Sequence, residues 1–199
     1  MRETLLLWEF CFVLFVSVFG SLLHFVYDFS GQNCIVGLFA PINESTWEHL
    51  KLLFFPSLLF GSVEYLAAGA HIANFLPAKA IGLLLGMALI IVAFYTYTGI
   101  LGTNWLPADI LTFLLGVAVS SQISLRLIAS GLFAKKAALG ALLLIALLCA
   151  CFFLFTFSPP HIGLFRDPLN NTYGCRRTER FRRFGLKQKN RWRNKKYIP

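Results

Sequence analysis

Residues 5–27 read LLLWEFCFVLFVSVFGSLLHFVY, an apolar run that contains a single carboxylate, Glu9. The hydrocarbon core of a bilayer is about 30 Å thick, and roughly 20 apolar residues in a helix cross it. The run is longer than the core of a secretory signal and has no small-residue cleavage site before the next polar segment. We therefore predict that it is a retained transmembrane helix.

The rest of the chain repeats this pattern. Of its 199 residues, 57% are hydrophobic and 14% are charged. A soluble domain of this size could not bury so much apolar side-chain surface away from water. Further apolar runs cover residues 50–74, 80–100, 107–129 and 137–157, and the later ones are joined by short connections that favour antiparallel neighbours. We predict an all-α, polytopic transmembrane helical bundle of about five spans, formed by residues 1–174.

An odd number of spans places the two termini on opposite faces of the membrane, and we name these faces side A (the N-terminal face) and side B. The short loops hold more Lys and Arg on side A, Lys79 among them, but side B holds more once residues 175–199 are counted, so the positive-inside rule gives opposite answers with and without this segment. We give the short loops more weight and predict that side A is cytoplasmic. Residues 175–199 carry 11 of the 18 Lys and Arg residues and one of the nine acidic residues. We expect a disordered tail there that contacts anionic lipid headgroups and binds no specific nucleic acid.

Alternation of the spans brings many polar side chains to one mouth of the bundle, on side B. The stretch FAPINESTWEHLK, residues 39–51, opens the second span, and a helix start at Asn43 or Ser45 explains only part of its polarity. If the protein is an enzyme, the catalytic candidates are Glu44, Ser45, Glu48 and His49. The candidate binding residues at this mouth are His24, Tyr27, Asp28, Asn43, Glu44, Trp47, Glu48, His49, Lys51, His161 and Asp167.

A second polar group lies within the spans and consists of Glu9, Glu64, His71 and Arg126. An unpaired ionisable group in lipid costs about 3 kcal/mol on insertion scales. We expect Arg126 to reach Glu9 or Glu64, or to extend to the interface. Both an internal ion pair and a path for protons or ions are open interpretations of this group.

Three segments resemble a family of small bacterial membrane proteins of uncharacterised function. They are SLLHFVYDFSG (21–31), GLFAPINESTWEHLKLLFFP (37–56) and PPHIGLFRDPLNNTYG (159–174). The resemblance extends over nearly all of residues 5–174 and centres on the pattern PxNESxWEHxK. It implies a multi-pass protein of the bacterial plasma membrane and brings no known activity with it.

The segment NESTWEHL is also similar to a motif of the progestin and adipoQ receptor family, which is grouped with alkaline ceramidases as zinc-dependent membrane hydrolases. This similarity implies that Glu44, Ser45 and His49 lie near a metal ion. It implies further that the metal ligands come from His24, Asp28, His49 and His161. The chain departs from that family in having five predicted spans instead of seven and in lacking an HxxxH pair on a late helix.

Three functions are compatible with these patterns. We favour binding or passage of a small polar solute, an ion or a lipid headgroup at the side-B mouth. The alternatives are zinc-dependent hydrolysis of lipid amides or esters at the same place, and a structural membrane scaffold. No cofactor is certain; zinc is a possibility because the second similarity implies it. No organic cofactor is indicated, because the chain contains neither a glycine-rich phosphate loop nor a thiolate ligand set.

Overall fold

The computed structural model describes residues 2–134 and 136–175, and these residues form five α-helices. Each helical segment is long and apolar enough to cross a membrane, and no β-strand occurs in the described part of the chain. The predicted all-α bundle is thus confirmed. Of the predicted basic tail, residues 176–199 lie outside the described residues. The helices are α1 (Arg2–Phe29), α2 (Thr46–Glu64), α3 (Phe75–Leu101), α4 (Leu106–Ser130) and α5 (Ala137–Phe157).

Helix α3 begins at Phe75, earlier than the span predicted from residue 80. Pro77 is compatible with this start, because a proline in the first turn of a helix lacks only an amide group that has no partner within the helix. Lys79 is therefore part of α3. Its assignment to a loop was wrong, and Lys79 is instead a charged residue inside the bundle.

Small residues bring α3 and α4 into close contact. A Cβ atom on Gly82 would lie 2.5 Å from the carbonyl oxygen of Ser120, and one on Gly86 would lie 2.6 Å from that of Gly116. Only a hydrogen atom fits at these positions, so the two backbones approach as they do in other membrane helix pairs with small-residue stripes. The contact holds the serine hydroxyls of α4 against the neighbouring helices.

An apolar core separates the two ends of the bundle. Its completely buried members include Val16, Leu53, Phe54, Val117 and Phe152. The outside of the helices is apolar too, with many leucine and phenylalanine side chains more than half exposed. An apolar exterior around an apolar core suits a lipid surrounding, and the chain is a multi-pass membrane protein.

Candidate functional site

The start of α2 sets the geometry of the side-B mouth. Ser45 is the N-cap, and its hydroxyl accepts a hydrogen bond from the amide of Glu48 at 3.4 Å. Asn43 supports this turn, because its side-chain oxygen accepts from the amide of Ser45 at 3.0 Å. Of the two predicted helix starts, the structure has the one at Ser45. Glu44 consequently lies just outside the helix, where its side chain is free of the helical register.

Glu44 lies between two histidines from different helices. Its carboxylate oxygens are 3.4 Å from His49 Nε2 and 3.8 Å from His24 Nε2, and the two imidazole rings have their centroids 5.2 Å apart. One ligand atom from each of the three residues lies within 4.8 Å of the others. We refer to His24, Glu44 and His49 as the mouth cluster.

The hydrogen bonds of His49 fix which ring nitrogen faces Glu44. Nδ1 lies 2.9 Å from the carbonyl oxygen of Ser45, and a carbonyl only accepts, so Nδ1 carries a proton. A neutral His49 then presents the lone pair of Nε2 to a carboxylate, which is repulsive unless a proton or a metal ion lies between them. When His49 is protonated, Nε2 donates to this carboxylate, and the hydrogen bond lowers the pKa of Glu44; burial offsets part of this effect.

The mouth cluster forms one wall of a cavity of about 200 Å³. The opposite wall carries polar groups from the α3–α4 connection and from α4, namely Asn104, Asp109 and Thr112. Asp109 accepts a hydrogen bond from the hydroxyl of Tyr97. Apolar side chains and the segment after α5 close the remaining sides, so a ligand in this cavity would meet both polar and apolar surface.

Glu48 and Lys51, two of the predicted binding residues, lie outside this cavity. Lys51 is completely buried and donates three hydrogen bonds, to Glu48 Oε2 at 2.6 Å, to the carbonyl oxygen of Gly37 at 2.8 Å and to Thr156 Oγ1 at 2.8 Å. An ammonium group has three donors, and all of them are used. The pair therefore fastens the α1–α2 connection to α5.

The other predicted mouth residues have local structural partners. Trp47 packs between Phe152 and Phe165, with ring centroids 4.8 and 4.9 Å away. Asp167 is buried and accepts a hydrogen bond from the amide of Leu169 at 2.9 Å. These two residues support the walls of the mouth.

Two residues that were predicted as possible metal ligands are not members of the mouth cluster. Asp28 is exposed and accepts a hydrogen bond from Gln32 at 3.3 Å, and His161 stacks on Tyr173 with ring centroids 4.5 Å apart. Tyr27, by contrast, is buried, and its hydroxyl lies 3.8 Å from Cys175 Sγ. Of the four predicted ligands, only His24 and His49 meet, and Glu44 is the third member.

A second group of charged residues occupies the side-A half of the bundle. Lys79 Nζ lies 2.8 Å from Glu9 Oε1 and 2.6 Å from Glu64 Oε2. Arg126, the expected partner, is exposed on α4, and His71 is exposed beyond the end of α2. Lys79 thus joins Glu9 and Glu64, whereas the sequence-based expectation had Arg126 reach one of them or extend to the interface. The signal for it was Pro77, which marks a first helical turn.

These features define a class: a multi-pass α-helical membrane protein with a histidine–carboxylate cluster at one mouth. Residues 3–175 match the model of a family described as Family of unknown function (DUF6512), and the chain belongs to this family. The predicted resemblance to an uncharacterised family is confirmed. No curated protein and no solved structure matches the chain.

Proposed function

We propose that the protein binds a divalent transition-metal ion, with zinc the best match, at the mouth cluster, and a small polar ligand in the cavity beside it. The observation that carries this proposal is the convergence of two imidazoles and one carboxylate within 4.8 Å on a cavity wall. Imidazole and carboxylate groups are zinc ligands, and three of them leave a fourth position open.

The spacing of the mouth cluster supports a metal. Ligand atoms about 2.1 Å from a tetrahedral zinc ion are about 3.4 Å apart. His49 Nε2 and Glu44 Oε2 have this separation, 3.4 Å, and His24 Nε2 is 3.8 Å from the same carboxylate. A small adjustment of the His24 side chain would complete the set. The bound cation would also remove the repulsion between the Nε2 lone pair of His49 and the carboxylate of Glu44.

The size and lining of the cavity favour a small ligand. Pockets for drug-sized molecules have volumes of about 300–1,000 Å³, and this cavity holds about 200 Å³. A polar solute of a few heavy atoms or one lipid headgroup fits that volume. If side A faces the cytoplasm of a bacterial cell, the site would take its ligand from outside the plasma membrane.

Binding is favoured over passage. The residues below the cavity belong to the apolar core, in which Leu53, Phe54 and Val117 are completely buried. An ion or polar solute that left the cavity toward side A would lose its hydration in this layer. The arrangement therefore supports a site that holds its ligand at one face of the membrane.

A metal-dependent hydrolase is the second candidate, and Asp109 is the observation that favours it. Its carboxylate lines the same cavity as the mouth cluster and is close enough to act electrostatically on His49. Zinc in such a site would lower the pKa of a bound water to about 7. Asp109 could accept a proton in the cavity. Hydrolysis of a lipid amide or ester that is lost in Asp109→Asn, with zinc still bound, would support this candidate.

Metal content tests the proposal. We would purify the full chain in detergent, equilibrate it with zinc, remove the excess and measure bound metal by mass spectrometry. We expect about one zinc ion per chain in the wild type and none in the double variant His24→Ala/His49→Ala. The matched control is His71→Ala/His161→Ala, which removes two exposed histidines elsewhere and should retain the metal. Equal metal content in both double variants, or none in the wild type, would refute the metal site and leave two alternatives, a metal-free ligand site and a scaffold.

A further inference from the structure

Three charged side chains on the side-A half of the bundle form a second cluster, and we name Glu9, Glu64 and Lys79 the inner cluster. These residues come from α1, α2 and α3, and α4 adds the hydroxyls of Ser121 and Ser124. Glu9 is 3% exposed and Glu64 is 0% exposed. The group is therefore an ionic cluster within the membrane-spanning part of the bundle.

The charges of the inner cluster do not balance. It contains two carboxylates and one ammonium group. Arg126 and His71, which were predicted to lie within the spans beside the two glutamates, are exposed and do not belong to the cluster. The groups that α4 contributes are neutral hydroxyls. A buried charge without a counter-charge is strongly unfavourable. Among the side chains that the structure describes, an ionised cluster therefore lacks one positive charge.

The missing charge belongs beside Glu64. Both carboxylate oxygens of Glu9 accept hydrogen bonds. Lys79 and Ser124 donate to Oε1 at 2.8 and 2.7 Å, and Ser121 donates to Oε2 at 2.7 Å. Glu64 has only the ion-pair contact of Oε2 with Lys79, which lacks hydrogen-bond alignment, and its buried Oε1 has no hydrogen-bond partner among the described residues.

The backbone next to Glu64 is unusual. Glu64 is the last residue of α2, but the helical path continues after it. A π-helical turn, Tyr65–Gly69, follows it directly. Such turns are rare and occur often at functional sites, because they re-aim the side chains next to them.

A groove of about 470 Å³ reaches the cluster at Lys79, and its lining also includes Tyr65, Ser57 and Ser120. Lys79 is 13% exposed, and its Nζ lies 2.6 Å from Glu64 Oε2. Neither Glu9 nor Glu64 lines the groove, so a cation from it would reach Glu64 past the Lys79 side chain, without crossing the apolar core.

We propose that the inner cluster binds one small monovalent cation, a proton or a sodium ion, beside Glu64. This inference goes beyond the proposed function, because the inner cluster lies about 22 Å from the mouth cluster along α1, at a rise of about 1.5 Å per residue. The cation neutralises the cluster and links α2 to α1 and α3. The experiments below distinguish a proton, which comes from water, from a sodium ion, which comes from the salt.

Infrared spectroscopy of the full chain in lipid nanodiscs tests the proton. In sodium-free choline buffer at neutral pH, the wild type should show one carbonyl band of a protonated carboxyl that is lost in Glu64→Gln. Glu9→Gln should lose it as well, because one carboxylate and Lys79 then balance. Glu3→Gln is the matched control, since Glu3 is an exposed carboxylate on the same helix, and it should keep the band.

Thermal unfolding tests sodium. If the band is absent, replacement of choline by sodium at equal ionic strength should raise the unfolding midpoint of the wild type and of Glu3→Gln, and leave that of Glu64→Gln unchanged. If Glu64→Gln does not fold, Glu9→Gln supplies the same comparison. A wild type with neither the band nor a sodium effect overturns the proposal, as does an effect of equal size in Glu64→Gln or Glu9→Gln. None of these measurements depends on zinc.

Discussion

Removal of the Lys51 ammonium should be among the most destabilising single changes in this protein. Lys51→Met keeps much of the side-chain volume but leaves the carboxylate of Glu48 buried without a counter-charge, because Glu48 is 2% exposed. It also removes donors from the carbonyl oxygen of Gly37 and the hydroxyl of Thr156. Breaking a buried ion pair from one side costs about 3–5 kcal/mol, which is a large part of a typical unfolding free energy of about 5–15 kcal/mol.

The double variant Glu48→Gln/Lys51→Met separates the charge effect from packing. It removes both charges, so the penalty of the unpaired carboxylate disappears and the loss should shrink to about 1–2 kcal/mol, the scale of a few lost hydrogen bonds. The free energy of unfolding would be measured in mixed micelles by circular dichroism. Lys136→Met is the matched control, because Lys136 is exposed and its removal should change stability by less than about 0.5 kcal/mol. A double variant as unstable as Lys51→Met would refute the reasoning.

Two further predictions concern the side-B face. The hydrogen bond with His49 lowers the pKa of Glu44 in the folded state, so this stabilisation is complete above the ordinary pKa of 4.5 and is lost as the pH falls through the lowered pKa. On acidification, the unfolding midpoint of the metal-free wild type should therefore fall more steeply than that of Glu44→Gln. Parallel curves for the two proteins would contradict this prediction. Cys34 Sγ and Cys175 Sγ lie 2.8 Å apart, so oxidised glutathione should join them in a disulfide. Mass spectrometry after differential alkylation should find it in Cys149→Ser and not in Cys34→Ser; a disulfide in both would contradict the contact.

The helices could be predicted from the sequence because their signal is local. Twenty or so apolar residues in a row must form hydrogen bonds within their own segment once they enter lipid, and only a helix permits this. The start of α3 was the exception. There the apolar run begins after Lys79, and only the tolerance of a first turn for Pro77 indicates that the helix extends before it.

The mouth could be predicted only in part, because a helical wheel applies only within a helix. Glu44, Glu48 and Lys51 share a face if all three are helical. Since α2 starts at Thr46, Glu44 turns toward His24 while Glu48 and Lys51 face α5. Which polar residues line a cavity and which tie loops together depends on contacts between segments far apart in the chain, and spacing does not encode these contacts.

The apolar layer between the two clusters has an electrical consequence. Val16, Leu53, Phe54, Val117 and Phe152 form a dry, weakly polarisable slab across the bundle. The voltage across a membrane falls over its least polarisable layer, at about 2.3 kcal/mol per elementary charge for each 100 mV. Each cluster is therefore held near the potential of the solution on its own side. If the two proposed sites bind cations, each would respond to the salt and pH of its own compartment. One chain would then respond to the composition of the solutions on both sides of the membrane.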